Sequence, residues 1–468
     1  MKKISYLIAC LPLVAGSCSD GKDNTEILNN PKVVLSSGTV SFSEKGGTAS
    51  VALIANRDQV EITNEKWLTV SRQDGTVTIV AEANPDAGQR NSQIVFSVSD
   101  RGVTARDSIR VWQDGTATVD LSKKETANCY VAKTAGEYSF RADVKGNGGS
   151  DGQSNYIDRH GAAITGAVYA ELLWEATFDG DKNTSRDIIA GEPVYRDGAV
   201  HFSTGATQGN AVIALKDAYG TILWSWHIWV SDDEIGTTYG NGLSWMNRNL
   251  GALNNTPGDI RNRGLLYQWG RKDPFLPSRA EYMVAEFDNL PAANAYNYAV
   301  GDGSAAWEYN HRARKVIEAP GNVEYAVRHP VCFLTNATSD DWFAAAGGTP
   351  ALWGKDDREK TIFDPCPAGY MVPPSSGWAS QNIKSDWGEL TDNGRYWTGG
   401  SKDFYPLSGF LQLQQGALNY CGALGMYWTR EQSASDPTLS RRLYLATNST
   451  SFTNLGRGSG CLIRCVKQ

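Results

Sequence analysis

Between residues 33 and 115, apolar and polar side chains alternate in short runs, and this period of two constrains the fold more than any other feature. Val51, Leu53 and Ala55 alternate with Ala52, Ile54 and Asn56, while Thr76, Thr78 and Val80 alternate with Val77, Ile79 and Ala81. Ile94, Phe96 and Val98 keep one face, and Ile109 and Val111 another. Successive side chains of a strand point to opposite faces, so each run reads as a strand with one buried side. Gly46-Gly47, Asp74-Gly75 and Asp100-Arg101-Gly102 supply turn chemistry between the runs. Short strands recurring about every 8–12 residues predict a β-sandwich.

A second β-rich stretch covers residues 116–235. Its strand cues include Leu172-Leu173-Trp174-Glu175, the run Ala211-Val212-Ile213-Ala214-Leu215, and Ile222-Leu223-Trp224-Ser225-Trp226-His227-Ile228-Trp229-Val230. In the last of these Trp224, Trp226, Ile228 and Val230 share one side, and Ser225, His227 and Trp229 the other. Both sides are largely apolar, which predicts a strand covered on both faces. His227 has no His or Cys at ligand spacing and reads as a structural imidazole, not a metal ligand. Residues 147–161, rich in Gly, Ser and Asp, read as a mobile surface loop.

Residues 240–468 hold nine of the fifteen tryptophans. Leu265, Leu266 and Trp269 recur at helical spacing before Gly270, which predicts a short amphipathic helix.

At 468 residues the chain exceeds a single core, and about three domains is the prior. Its 51 acidic and 44 basic side chains give a net charge of −7. With no dense Lys/Arg run, nucleic acid and anionic lipid surfaces are poor partners. Beyond the N-terminus no apolar run approaches the ~18–20 residues of a spanning helix.

The N-terminus carries its own signal. Lys2 and Lys3 precede an apolar run from Ile4 to Val14, then the small residues Ala15, Gly16 and Ser17, then Cys18. This pattern resembles a bacterial lipoprotein signal over residues 1–17, cut before a lipidated Cys18, although Ala15 stands where such signals usually have Leu. The resemblance implies a membrane attachment through lipid alone, at the outer membrane and the cell surface, with residues 18–32 as a polar tether. Cys10 leaves with the signal, and Cys129, Cys332, Cys366, Cys421, Cys461 and Cys465 remain. Six cysteines in an exported chain are compatible with three disulfides in any of 15 connectivities.

Residues 33–115 resemble the BACON domain, a Bacteroidetes module named for carbohydrate binding. The likeness rests on Val40-Ser41-Phe42, Gly46-Gly47, Trp67-Leu68-Thr69-Val70, Gly75-Thr76-Val77-Thr78-Ile79, Arg90 and Val111-Trp112-Gln113-Asp114-Gly115. It implies an Ig-like sandwich serving as sugar binder or spacer, with Trp67 read as core. Residues 116–235 look like the middle sandwich of fimbrillin-like surface proteins. Residues 240–468 are similar to the Fibrobacter succinogenes major paralogous domain, through Trp245-Met246-Asn247-Arg248-Asn249-Leu250-Gly251, Asp364-Pro365-Cys366-Pro367-Ala368-Gly369 and Arg464-Cys465-Val466. Asn247 replaces the family's usual Asp. This likeness implies an α+β, C-type-lectin-like fold with two helices around a twisted sheet. It also implies a Cys366–Cys465 disulfide, with Cys421–Cys461 as the next pairing. The expected whole is multidomain and mainly β: two sandwiches, then the lectin-like domain.

These readings imply a surface adhesin or glycan-binding lipoprotein with no cofactor, whose partner is a host or dietary glycan or glycoprotein such as mucin. Tyr396, Trp397, Tyr427, Trp428, Arg430 and Tyr444 are the candidate sugar contacts, pairing rings for stacking with groups that bond hydroxyls. The calcium-lectin motifs Glu-Pro-Asn, Gln-Pro-Asp and Trp-Asn-Asp are absent, so no metal is expected in sugar binding. A fimbrial tip or structural pilus subunit, with other pilus subunits as partners, is the alternative. Catalysis is not expected. Cys461 and Cys465 differ in spacing from the cysteine pair of formylglycine-generating enzymes, and no H-E-x-x-H motif stands out. Asp340, Asp341, Asp356, Asp357 and Glu359 are the carboxylates available for glycan cleavage, and such surface clusters are usually solvated.

Overall fold

A computed structural model describes residues 30–177, 188–276, 298–300, 314–316, 322–336, 338–343, 350–354, 359–378, 384–413, 416 and 418–468. The signal segment, Cys18 and most of the tether lie outside the described residues, as do Asp356 and Asp357. The chain is mainly β and divides into two compact units, with Asn84 and Gln113 as the last residues of the two stretches that make the first.

The first unit is a sandwich of two four-stranded sheets. One orders Val33–Leu35, Gly47–Ala55, Thr76–Ala81 and Leu68–Gln73; the other orders Thr39–Phe42, Val103–Gln113, Arg90–Asp100 and Glu61–Thr63. Asp74-Gly75 and Arg101-Gly102 take positive φ at the tips of two hairpins, the conformation a two-residue turn needs between right-twisted strands. The inward sets meet as Val77, Ile79, Ile94, Phe96, Ile109 and Val111, all fully buried. Each contributes roughly 1.5–3 kcal/mol relative to an exposed position. Trp67 packs half-buried at the edge of this core, with the Arg90 guanidinium 4.4 Å from its ring centre.

The second unit, Pro85–Gln89 with Asp114–Gln468, has one continuous core that runs from Cys129 to Val466. The residues expected to form a second sandwich and those expected to form the C-terminal domain therefore share an interior. A five-stranded sheet with Ile222–Val230 and Gly209–Lys216 at its centre faces a four-stranded sheet containing Glu137–Arg141 and Ala199–Thr204. Phe140 meets Trp226 between them at 5.1 Å. The opposite side of Ile222–Val230 is covered by the C-terminal half, where Ser225 bonds Asp273.

Farther along, a seven-stranded sheet includes Gly460–Leu462, Leu424–Gln432, Leu439–Ala446 and, as the edge, Thr450–Gly456. The helix expected near Leu265 is instead the strand Leu266–Gln268, paired with Gly460–Leu462. Leu266, Tyr267 and Gln268 are all buried, and a short apolar run covered on every side carries no readable period. Among the described residues of 240–468 the α-helix is Val323–Arg328, six residues long, in place of two helices flanking the sheet.

Residues 147–161 are not a free surface loop. Asn147 Nδ2 donates to the Lys360 carbonyl at 2.7 Å, and the Ile362 amide donates to Ser150 O at 2.8 Å. Gly152, at φ +63°, comes so close to Ala351 that an added Cβ would lie 2.1 Å from its carbonyl oxygen. Only glycine permits this approach. The segment's small polar composition serves docking, which composition alone does not distinguish from mobility.

Candidate functional site

That docked segment forms one wall of a polar cleft in the second unit. Asp151 Oδ2 accepts from the Ile157 amide and from Ser154 Oγ, which starts the one-turn helix Tyr156–His160. Four residues apart on that helix, the Tyr156 and His160 rings lie 4.6 Å from each other. The opposite wall is the helix Val323–Arg328, capped by Asn322, whose Oδ1 accepts from the Tyr325 amide. Glu324 Oε1 and Arg328 Nη2 pair at 2.6 Å along it.

Across the cleft His160 Nε2 lies 3.3 Å from Glu324 Oε2, out of line for a hydrogen bond. Lys145 supports the floor by donating to the carbonyls of Gly161 and Ala163 at 2.8 and 2.7 Å, with His160 O at 3.3 Å. Its ammonium is spent on these carbonyls, and burial holds its pKa below the usual lysine range. Burial, with the Glu324 charge adding to it, pushes the Tyr156 hydroxyl up to about 12, so it stays a neutral donor.

The cleft has a volume of about 150 Å³, with Ile222 and Leu223 among its apolar lining. That is below the ~300–1,000 Å³ of pockets for drug-sized ligands, and suits one ring-sized polar group. Just before Ile222, the turn at Asp217–Gly220 carries Tyr219, which is 94% exposed. Asp217 Oδ1 accepts from the Tyr219 and Thr221 amides, each at 2.8 Å, and these bonds, with Arg328 adding to them, hold its carboxyl below the usual range. Tyr169 is partly exposed beside the same turn, its hydroxyl 3.5 Å from where a Gly220 Cβ would sit. Glu324 is the one carboxylate in the described lining. Glycoside cleavage by the usual route needs two.

A second polar cluster is sealed in the core. Lys272 Nζ reaches Asp273 Oδ1 at 2.6 Å and both oxygens of Ser225, and Ser225 Oγ donates to the same Asp273 oxygen at 2.7 Å. Desolvation lowers the Lys272 pKa, opposed by the Asp273 charge. A serine beside a lysine and a carboxylate has the makings of an activated nucleophile. All three are buried, so the cluster acts as a tie between Ile222–Val230 and the following segment.

The six residues expected to contact sugar do not form a site. Trp397, Tyr427, Trp428 and Arg430 are buried. Trp428 Nε1 donates to Tyr267 O at 2.8 Å, Tyr427 OH to Pro406 O at 2.6 Å, and Arg430 Nη2 to Trp353 O at 3.0 Å. Trp397 sits edge-on to Trp245 at 5.3 Å. Tyr444 is half-buried under the Arg442 guanidinium, and Tyr396 alone is exposed, on a different strand. The strand alternation that buries these rings runs through Leu424–Gln432 with both faces covered, so no polar face announces itself.

Cys366 and Cys465 are joined, with Cα atoms 6.1 Å apart. Cys421 and Cys461 are not a pair: both are buried thiols whose pKa burial raises, as is Cys129. Cys461 faces Tyr267 across its strand pair, inside the core. His227 Nε2 bonds Asn210 Oδ1 at 2.8 Å, and burial brings its pKa down to about 3. No group of three His, Cys, Asp or Glu side chains suited to a metal occurs among the described residues. Asp341 is buried with Arg457 Nη1 3.6 Å away.

Sequence reasoning missed the cleft because its walls are more than 160 positions apart. The one available local signal was the spacing of four in Tyr156/His160 and Glu324/Arg328.

No family model and no curated protein matches the chain. Among solved structures, a protein from Bacteroides thetaiotaomicron is 14% identical, covering 21% of this chain and 97% of its own, with a TM-score of 0.16. A domain of titin is 11% identical, covering 18% of this chain and 96% of its own, with a TM-score of 0.15. An endo-fucoidan hydrolase of glycoside hydrolase family 107 is 15% identical, covering 42% of this chain and 28% of its own, with a TM-score of 0.15.

Proposed function

We propose that this protein is a lipid-anchored cell-surface protein that captures glycans without cleaving them. In this reading residues 33–115 are a BACON-type sandwich, and residues 240–468 contribute a lectin-like head built onto the sandwich that precedes it. The lipid on Cys18 holds the chain at the outer membrane, and no described helix is long and apolar enough to cross a membrane.

The observation that carries the reading is the cleft between Tyr156–His160 and Val323–Arg328. It joins the polar groups of Glu324, Arg328 and His160 to the Tyr156 ring and the apolar side chains of Ile222 and Leu223. Sugars are bound by that combination: hydroxyls bond to charged groups already held in place, and apolar ring faces lie on aromatics. Preorganisation by the Glu324–Arg328 pair reduces the ordering cost of binding. The single carboxylate and the sealed Ser225 cluster favour binding over turnover.

The test is a panel of glycans and mucins presented to the full chain. Retention of at least one glycan, weakened by Arg328→Ala, supports the proposal. No retention, or hydrolysis of a retained glycan, refutes it. Co-purification with sheared pili would favour the pilus-tip alternative.

A further inference from the structure

Trp112 occupies the wrong side of its strand for a core residue. In Val103–Gln113 the neighbours Val111 and Gln113 are fully buried, and the Gln113 amide points inward to bond Ser43 O and Glu82 O. The indole between them must therefore point outward. It is half-buried and belongs to neither hydrophobic core. Among the described residues it makes no aromatic pair and lies under no cation.

Its neighbours on that face are polar. Asn91 lies directly opposite on one adjoining strand and Ser41 on the other, and Arg110 is the next outward residue on its own strand. Gln93, opposite Arg110, is fixed by donating to Ser108 Oγ at 2.9 Å. Arg110 is exposed, with no ion pair among the described residues, and no carboxylate stands directly opposite either it or Trp112.

From this face we infer a second ligand site, on the first unit, for an acidic sugar residue in a polysaccharide. The indole stacks on the apolar side of a pyranose ring. The Asn91 and Gln93 amides bond its hydroxyls, and the Arg110 guanidinium pairs with a carboxylate or sulfate. The site deepens the glycan-capture reading, on which it rests, by naming the ligand's charge; it shares no residue with the cleft.

The experiment measures affinity of the full chain for polygalacturonate, chondroitin sulfate and uncharged dextran. Variants are Trp112→Thr, which keeps a strand-favouring side chain, Arg110→Gln, and Val80→Ser on the other sheet's outer face as control. Unchanged thermal unfolding establishes that each variant is folded. We expect binding to at least one acidic polymer that weakens with added salt. Trp112→Thr should weaken it about tenfold or more, Arg110→Gln should abolish the preference over dextran, and Val80→Ser should change nothing. Comparison of the two acidic polymers tells carboxylate from sulfate recognition. Acidic-polymer binding unaltered in both Trp112→Thr and Arg110→Gln overturns the site. If binding is instead lost in Arg328→Ala, the cleft reading stands without it. A chain that binds none of the three polymers also overturns the site, and the cleft is then judged by its own glycan panel.

Discussion

Asn128 reaches across the second unit to Ile362. Its Nδ2 donates to the carbonyls of Ile362 and Asp364 at 2.6 and 2.9 Å, while its Oδ1 accepts from Trp224 Nε1 at 2.9 Å. One buried amide thus ties the strand Ile222–Val230 of the five-stranded sheet to the segment before Cys366. Removing it leaves three buried polar groups short of a partner. Asn128→Ala should cost about 3 kcal/mol, read as a shift of the second unit's urea midpoint. Separately expressed fragments 116–235 and 240–468 should fail to fold cooperatively.

The Cys366–Cys465 bond closes a separation of 99 residues. Cys366→Ser should destabilise the second unit by about 2–5 kcal/mol. Alkylation of the unfolded, unreduced chain should label Cys129, Cys421 and Cys461 but spare Cys366 and Cys465. Labelling of Cys366 without reduction would break the assignment.

His227 makes acid stability a second readout. Burial holds its folded pKa at about 3, against an ordinary value of 6.5. Between those values the unfolded chain binds more protons, so stability is lost as pH falls below 6.5. The loss is up to about 1.4 kcal/mol per pH unit from this one ring. Denaturation at successive pH values should show this slope above pH 5, before most carboxylates titrate; His201, which burial and the Arg196 charge also bring down to about 3, adds a like slope, so His227→Gln should remove only its own share.

The buried Lys272–Asp273 pair should behave asymmetrically. Lys272→Met alone leaves Asp273 charged and buried, and should cost about 3–5 kcal/mol. Lys272→Met combined with Asp273→Leu should recover much of that loss. An uncorrected double variant would show that Ser225, not the charge balance, dominates the tie.

Much of the first unit was legible because its strands are covered on one side only. Val77 and Ile79 alternate with exposed Thr76 and Val80, so the sequence itself separates inside from outside. The second unit hides that distinction. In Leu424–Gln432 the first seven residues are all buried, so Tyr427, Trp428 and Arg430 read equally well as contacts or as core. Leu265, Leu266 and Trp269 fit a helical spacing by coincidence, since Leu266–Gln268 is enclosed on every side. The cleft depends on His160 meeting Glu324, a contact made by the fold and not by any local pattern.

The most direct test of glycan capture is titration of the full chain with soluble mono- and oligosaccharides, compared with Arg328→Ala and Glu324→Gln. The cleft predicts a saturable sugar ligand for the unaltered chain and about tenfold weaker binding in either variant, with unfolding unchanged. Saturable binding that both variants retain in full, or no sugar bound by the unaltered chain, would contradict it.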